Sequence, residues 1–81
     1  MENKNKLCPI DEQKTCKNIK AMMDERDITP LQIKEALHLG SVQAVYKWIG
    51  RNSSFIPSTE NLALLAQLFE CKLDDIIVYK K

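Results

Sequence analysis

Apolar residues recur along this chain at helical spacing, and no run alternates with period two for long enough to suggest a sheet. Cys16, Ile19 and Met23 fall at i, i+3 and i+7, which predicts a first helix over "TCKNIKAMMDER", ended by "DIT". "TPLQIKEAL" then gathers three start signals. Thr29 can cap, Pro30 sits in the first turn where its missing N–H costs nothing, and Gln32 completes a capping box. Ile33 and Leu37 form the inner edge of this second helix. "HLG" breaks the pattern, with Gly40 expected to adopt a backbone conformation that other residues resist. Ser41 is a suitable cap for a third helix. Two short helices joined so tightly must pack at a steep angle, as a helix-turn-helix does.

"RNSSFIP" reads as a polar loop whose Phe55 and Ile56 are expected to turn back onto the core. Pro57 and Ser58 open a fourth helix, in which Leu62, Leu65, Ala66 and Phe69 make a wide apolar stripe extended by Leu68. "LDDIIVY" follows as a fifth helix. Asp74 and Asp75 suit its N-terminus electrostatically, and Leu73, Ile76 and Ile77 dock it. The expected architecture is all-α: a flexible segment over residues 1–10, a five-helix domain over 11–79 and a tail at 80–81.

The third helix, "SVQAVYKW", has two characters. On a helical wheel Val42, Val45, Trp48 and Ile49 share one arc, while Gln43, Ala44, Tyr46 and Lys47 share the other. Trp48 lies in the anchoring arc and reads as core. The other side offers an amide, a methyl, a phenol and an ammonium. Glutamine can bond the N6 and N7 edge of adenine, a small apolar group can touch a thymine methyl, and lysine can read guanine or hold phosphate. Gln43, Ala44 and Lys47, with Val42, are therefore candidate base contacts. The competing reading of the same residues is a solvated helix face.

At 81 residues the chain fits one domain, with 44% apolar and 28% charged residues, so it can hold one modest core and no roomy catalytic cleft. Net charge is +1, but its distribution is uneven. Residues 1–40 balance seven bases with seven acids, 58–81 lean acidic, and 41–57 carry Lys47 and Arg51 with no acid. Three cysteines without a C-x-x-C pair, beside a single histidine, argue for reduced thiols in a cytosol rather than a zinc site or disulfides. No signal peptide or membrane span is evident. His38 has no catalytic partner in sequence, and adjacent Asp74 and Asp75 point apart on a helix. No Ser/His/Asp set or Gly-rich phosphate loop occurs, so neither an enzyme nor a cofactor is expected.

The order of these pieces resembles the lambda-repressor/Cro-type (XRE-like) helix-turn-helix family. The likeness rests on Gln43 to Trp48, Ile56 to Leu62 and Asp74 to Ile77, and it covers roughly residues 10–79. It implies a cytoplasmic bacterial DNA-binding regulator, most often a repressor, whose third helix enters the major groove of double-stranded DNA. Two-fold dimers of such proteins bind half-sites about 34–36 Å apart. The resemblance adds backbone contacts from Ser41, Tyr46, Arg51, Asn52 and Ser53, and from Thr29 and Gln32, which are capping residues first. The chain departs from the family's common pattern at Pro30 (often Gln), Lys34 (commonly Ala), His38 (often Gly) and the longer loop Gly50 to Pro57. Lys34 must snorkel outward or the two helices must splay. Ile76 to Tyr79 offer more apolar surface than a short helix buries, which suggests a homodimer through the C-terminal helix. Two other readings compete: a protein-interaction module of the same fold without DNA binding, and the antitoxin of a toxin–antitoxin pair.

Overall fold

A computed structural model describes residues 7–80. Five helices follow in order: α1 (Glu12–Arg26), α2 (Pro30–Ala36), α3 (Gln43–Ile49), α4 (Thr59–Phe69) and α5 (Leu73–Ile76). The described residues contain no strand, only an isolated antiparallel bridge between Ile10 and Tyr79. None of the described helices is long and apolar enough to cross a membrane.

Side-chain chemistry sets the helix starts. Asp11 accepts the Lys14 N–H at 3.0 Å, and Ser58 accepts the Asn61 N–H at 3.3 Å. At α2 both halves of the expected capping box form: Thr29 Oγ1 accepts the Gln32 N–H at 3.2 Å, and Gln32 Oε1 accepts the Thr29 N–H at 2.8 Å. One core then joins the helices. Ile19 and Met23 of α1, Ile33 of α2, Val45 and Trp48 of α3, Leu62, Leu65 and Phe69 of α4, and Ile76 of α5 are all buried in it. The apolar stripe read along α4 is thus the one the core uses.

Three helices end alike, and none uses glycine. Asp27, His38 and Glu70 each adopt left-handed backbone, with φ of 56°, 56° and 58°. Around His38, its own N–H reaches Glu35 O and the Leu39 N–H reaches Lys34 O at 2.9 Å, closing a Schellman motif. This corrects the expectation for the α2–α3 turn. Gly40 has no positive φ, and a Cβ there would meet nothing within 4 Å. Histidine carries the strained position because the helix terminates on its backbone bonds, not at the next flexible residue.

The chain ends also differ from expectation. Within the expected flexible segment 1–10, residues 1–6 lie outside the described part, but Pro9 and Ile10 are tied down. Asp11 N–H donates to Val78 O at 2.7 Å, and Lys80 N–H donates to Pro9 O at 2.8 Å, so Lys80 is no loose tail; Lys81 lies outside the described residues. The fifth helix stops at Ile76, and Val78 runs extended along α1, where Thr15 Oγ1 accepts its N–H at 2.9 Å and donates to its carbonyl at 3.3 Å. Thr15 itself is fully buried. Part of the apolar run assigned to a dimer surface is therefore consumed within the chain: Ile76 is buried, Ile77 and Val78 are half-buried, and Tyr79 stays exposed.

Three outcomes test this account by chemical denaturation. Gly40→Ala should stabilise the fold by about 0.4–1 kcal/mol, since it removes unfolded-chain freedom and meets no neighbour. His38→Gly should stabilise by about 1 kcal/mol, the left-handed penalty less the extra chain entropy of glycine. Thr15→Val should cost about 1–3 kcal/mol, because it leaves the part-buried Val78 N–H unpaired while the Val78 carbonyl keeps its bond from Asp11, and amide exchange at Val78 should accelerate.

Candidate nucleic-acid interface

The third helix is built from its cap upward. Ser41 Oγ accepts the Gln43 N–H at 3.0 Å, and Val42 already has helical backbone, so Ser41 performs the capping role read for it. Val45 and Trp48 are buried, and Ala44 and Ile49 pack half-buried beside them. Gln43, Tyr46 and Lys47 are exposed. The buried arc of α3 lies slightly to one side of the arc its sequence suggests. The buried axis bisects Val45 and Trp48, which draws Ala44 onto the core side and leaves Val42, half-buried, outside the core cluster. Ala44 thus leaves the outward face to which it was assigned, and the exposed set narrows to an amide, a phenol and an ammonium.

The loop after α3 is fixed by its own polar groups. Ser53 donates its hydroxyl proton to the Lys47 carbonyl and accepts the Phe55 N–H at 3.3 Å, while its own N–H reaches Gly50 O at 3.0 Å. Ser53 is thereby half-buried against the end of α3, its hydroxyl engaged within the chain. Asn52 takes a left-handed conformation (φ 60°), which asparagine tolerates better than most residues. Gly50 passes so close to α3 that a Cβ would lie 3.1 Å from the Tyr46 carbonyl oxygen. The loop stays tight against the helix and holds Arg51 and Asn52 outward, both exposed.

Phe55 does not turn inward. It is 59% exposed, and the Lys47 ammonium sits 5.6 Å from its ring centroid. Ile56 is half-buried, and Pro57 takes the buried place instead. Beneath the loop lies Cys16. Burial pushes its thiol up, a hydrogen bond with Ser53 opposes this and Glu12 adds to it, so the thiol stays protonated at neutral pH. Cys71 is raised too, by burial first and then by Asp75, against a lowering from Arg26.

Thr29 and Gln32 are both exposed, and Thr29, with Pro30, lines one recess together with Tyr46. Asp24 and Asp27 of α1 line that recess as well. The acid-free stretch in sequence is therefore not acid-free in space at its α2 end. At the other end the balance reverses. Lys17 and Lys20 of α1 line a second recess with Arg51 and Asn52. These lysines were missed because residues 1–40 are neutral as a block; their i, i+3 spacing was the available signal. Lys34 is half-buried, and its carbonyl accepts the Leu39 N–H.

Compared with protein-family models, curated proteins and solved structures, the chain shows no significant match, so its bearing on function rests on the geometry just described and on the motifs quoted from its sequence.

Proposed function

We propose that this protein is a sequence-specific DNA-binding regulator in which α2 and α3 act as a helix-turn-helix and α3 enters the major groove. One observation carries the reading: Gln43, Tyr46 and Lys47 stand exposed on a helix that has no acidic residue and whose other side is buried through Val45 and Trp48. Gln43 reads a base edge, and Val42 at the helix start adds an apolar contact. Lys47 and Arg51 neutralise phosphates, with Ser41, Tyr46 and Asn52 bonding the backbone beside them. Thr29 and Gln32 use their oxygens as acceptors in the cap and keep the Thr29 hydroxyl proton and the Gln32 amide donors for a phosphate. The role in the cell is repression, by occupying a site as a two-fold pair of chains.

A second reading, a protein-binding module or antitoxin of the same architecture, draws on Leu31 and Phe55, which are 55% and 59% exposed. A single set of titrations separates the two. Under the DNA reading, a duplex selected from a random pool binds more tightly than random duplex, and affinity falls steeply with salt. Gln43→Ala costs about 1–3 kcal/mol and relaxes preference at one base position, whereas Lys47→Ala weakens every duplex alike and flattens the salt dependence by about 0.9 in logarithmic slope. Equal affinity for selected and random duplexes defeats the claim of specificity. Salt-insensitive behaviour with every duplex, together with a protein partner bound at α3, favours the module.

A further inference from the structure

The recess between α1 and the loop after α3 brings together charges that are distant in sequence. Lys17 and Lys20, one helical turn apart on α1, face Arg51 and Asn52 across it, and all four are exposed. The loop side is preorganised, because Ser53 is bonded to the Lys47 and Gly50 carbonyls and Asn52 is held left-handed. This recess shares Lys20 and Ile49 with the neighbouring one that contains Thr29 and Tyr46, so the two form a continuous trough along one flank of α3. Charge along the trough is graded. Asp24 and Asp27 lie at the α2 end, and Lys17 and Arg51 lie at the loop end.

Lys20 sits at the junction, and its partner is informative. Its ammonium lies 2.9 Å from both Asp24 carboxylate oxygens, an exposed pair of the kind that is weak and easily exchanged. A carboxylate held bidentately presents two oxygens much as a phosphodiester does, so Asp24 occupies the lysine in the way a phosphate would.

We propose that Lys17, Lys20 and Arg51 form a phosphodiester seat on the α1 flank of α3, and that Lys20 leaves Asp24 for a DNA phosphate when duplex binds. This rests on the DNA-binding reading and makes it more specific: the strand's main electrostatic hold lies at the loop end of the trough, not at the start of α2. Asp24 then acts as an internal competitor that weakens the grip on every sequence equally.

Anisotropy titrations of the full chain with a selected duplex, over a fourfold range of salt, test the proposal. Lys17→Ala is expected to flatten the slope of log affinity against log salt by about 0.9, roughly a three- to fourfold change in the affinity ratio across that range, and Lys17→Arg to keep the wild-type slope. Asp24→Asn is expected to tighten binding and steepen the slope, because Lys20 is released. Thermal midpoints of the variants show that each remains folded. If wild type keeps its salt dependence and base preference while Lys17→Ala and Asp24→Asn match it, the seat is wrong and the DNA reading survives. If wild type binds no duplex, both fall together. Inorganic phosphate serves as the small-anion probe. Saturable shifts of the Gly50 to Asn52 amides at millimolar phosphate, with no change in the duplex slope of Lys17→Ala, would identify a free-anion site and overturn the proposal.

Discussion

Burial of Trp48 and Val45, at 3% and 0% exposure, is the interaction on which the candidate interface depends. Helix α3 has seven residues, and an isolated helix shorter than about 12–15 residues is marginal in water. Its conformation is therefore borrowed from the core to which it is bolted. The directions of Gln43, Tyr46 and Lys47 are borrowed with it. Since the helix cannot rotate without exposing the indole, its outward face is set by packing rather than by anything on that face.

The polar side of α1 complements this packing by satisfying helix ends that would otherwise lack partners. Asn18 Nδ2 donates to the carbonyls of Asp75 and Ile76 at 2.8 and 3.0 Å, closing α5. Arg26 Nε donates to Phe69 O at 3.0 Å, and its guanidinium lies 5.5 Å from the Phe69 ring centroid, closing α4. Thr15 holds Val78. One helix thus supplies core, fasteners and, through Lys17 and Lys20, charge beside α3. The division follows its faces, with Ile19 and Met23 inward and the lysines outward.

What was legible in the sequence was local. The start of α2 could be read because Thr29, Pro30 and Gln32 act within one turn, and the stripe of α4 because four apolar residues recur at a single spacing. Trp48 could be placed because it shares an arc with Val45. The features that escaped are those decided by which backbone bonds and side-chain contacts form once the chain has packed. His38 rather than Gly40 is left-handed because bonds back to Glu35 and Lys34 define the turn. Phe55 stays out because Lys47 covers its ring and Pro57 is buried in the loop instead. Ala44 turns inward because the bulk of Trp48 sets the buried axis. Lys17 and Lys20 meet Arg51 only once α1 and α3 have packed, which no count of charges along the chain reveals.

The seam between Pro9–Asp11 and Val78–Lys80 has a mechanical consequence. Its two segments are antiparallel, and the outward continuations of the chain from Pro9 and from Lys80 leave from the same end of the pair. Tension applied through those ends loads the hydrogen bonds one after another, Lys80 to Pro9 first and Asp11 to Val78 next, in the manner of a zipper rather than in shear. A pull transmitted through flanking chain would therefore peel the end of the molecule open at low force, while the bolt of Trp48 beneath α3 still held.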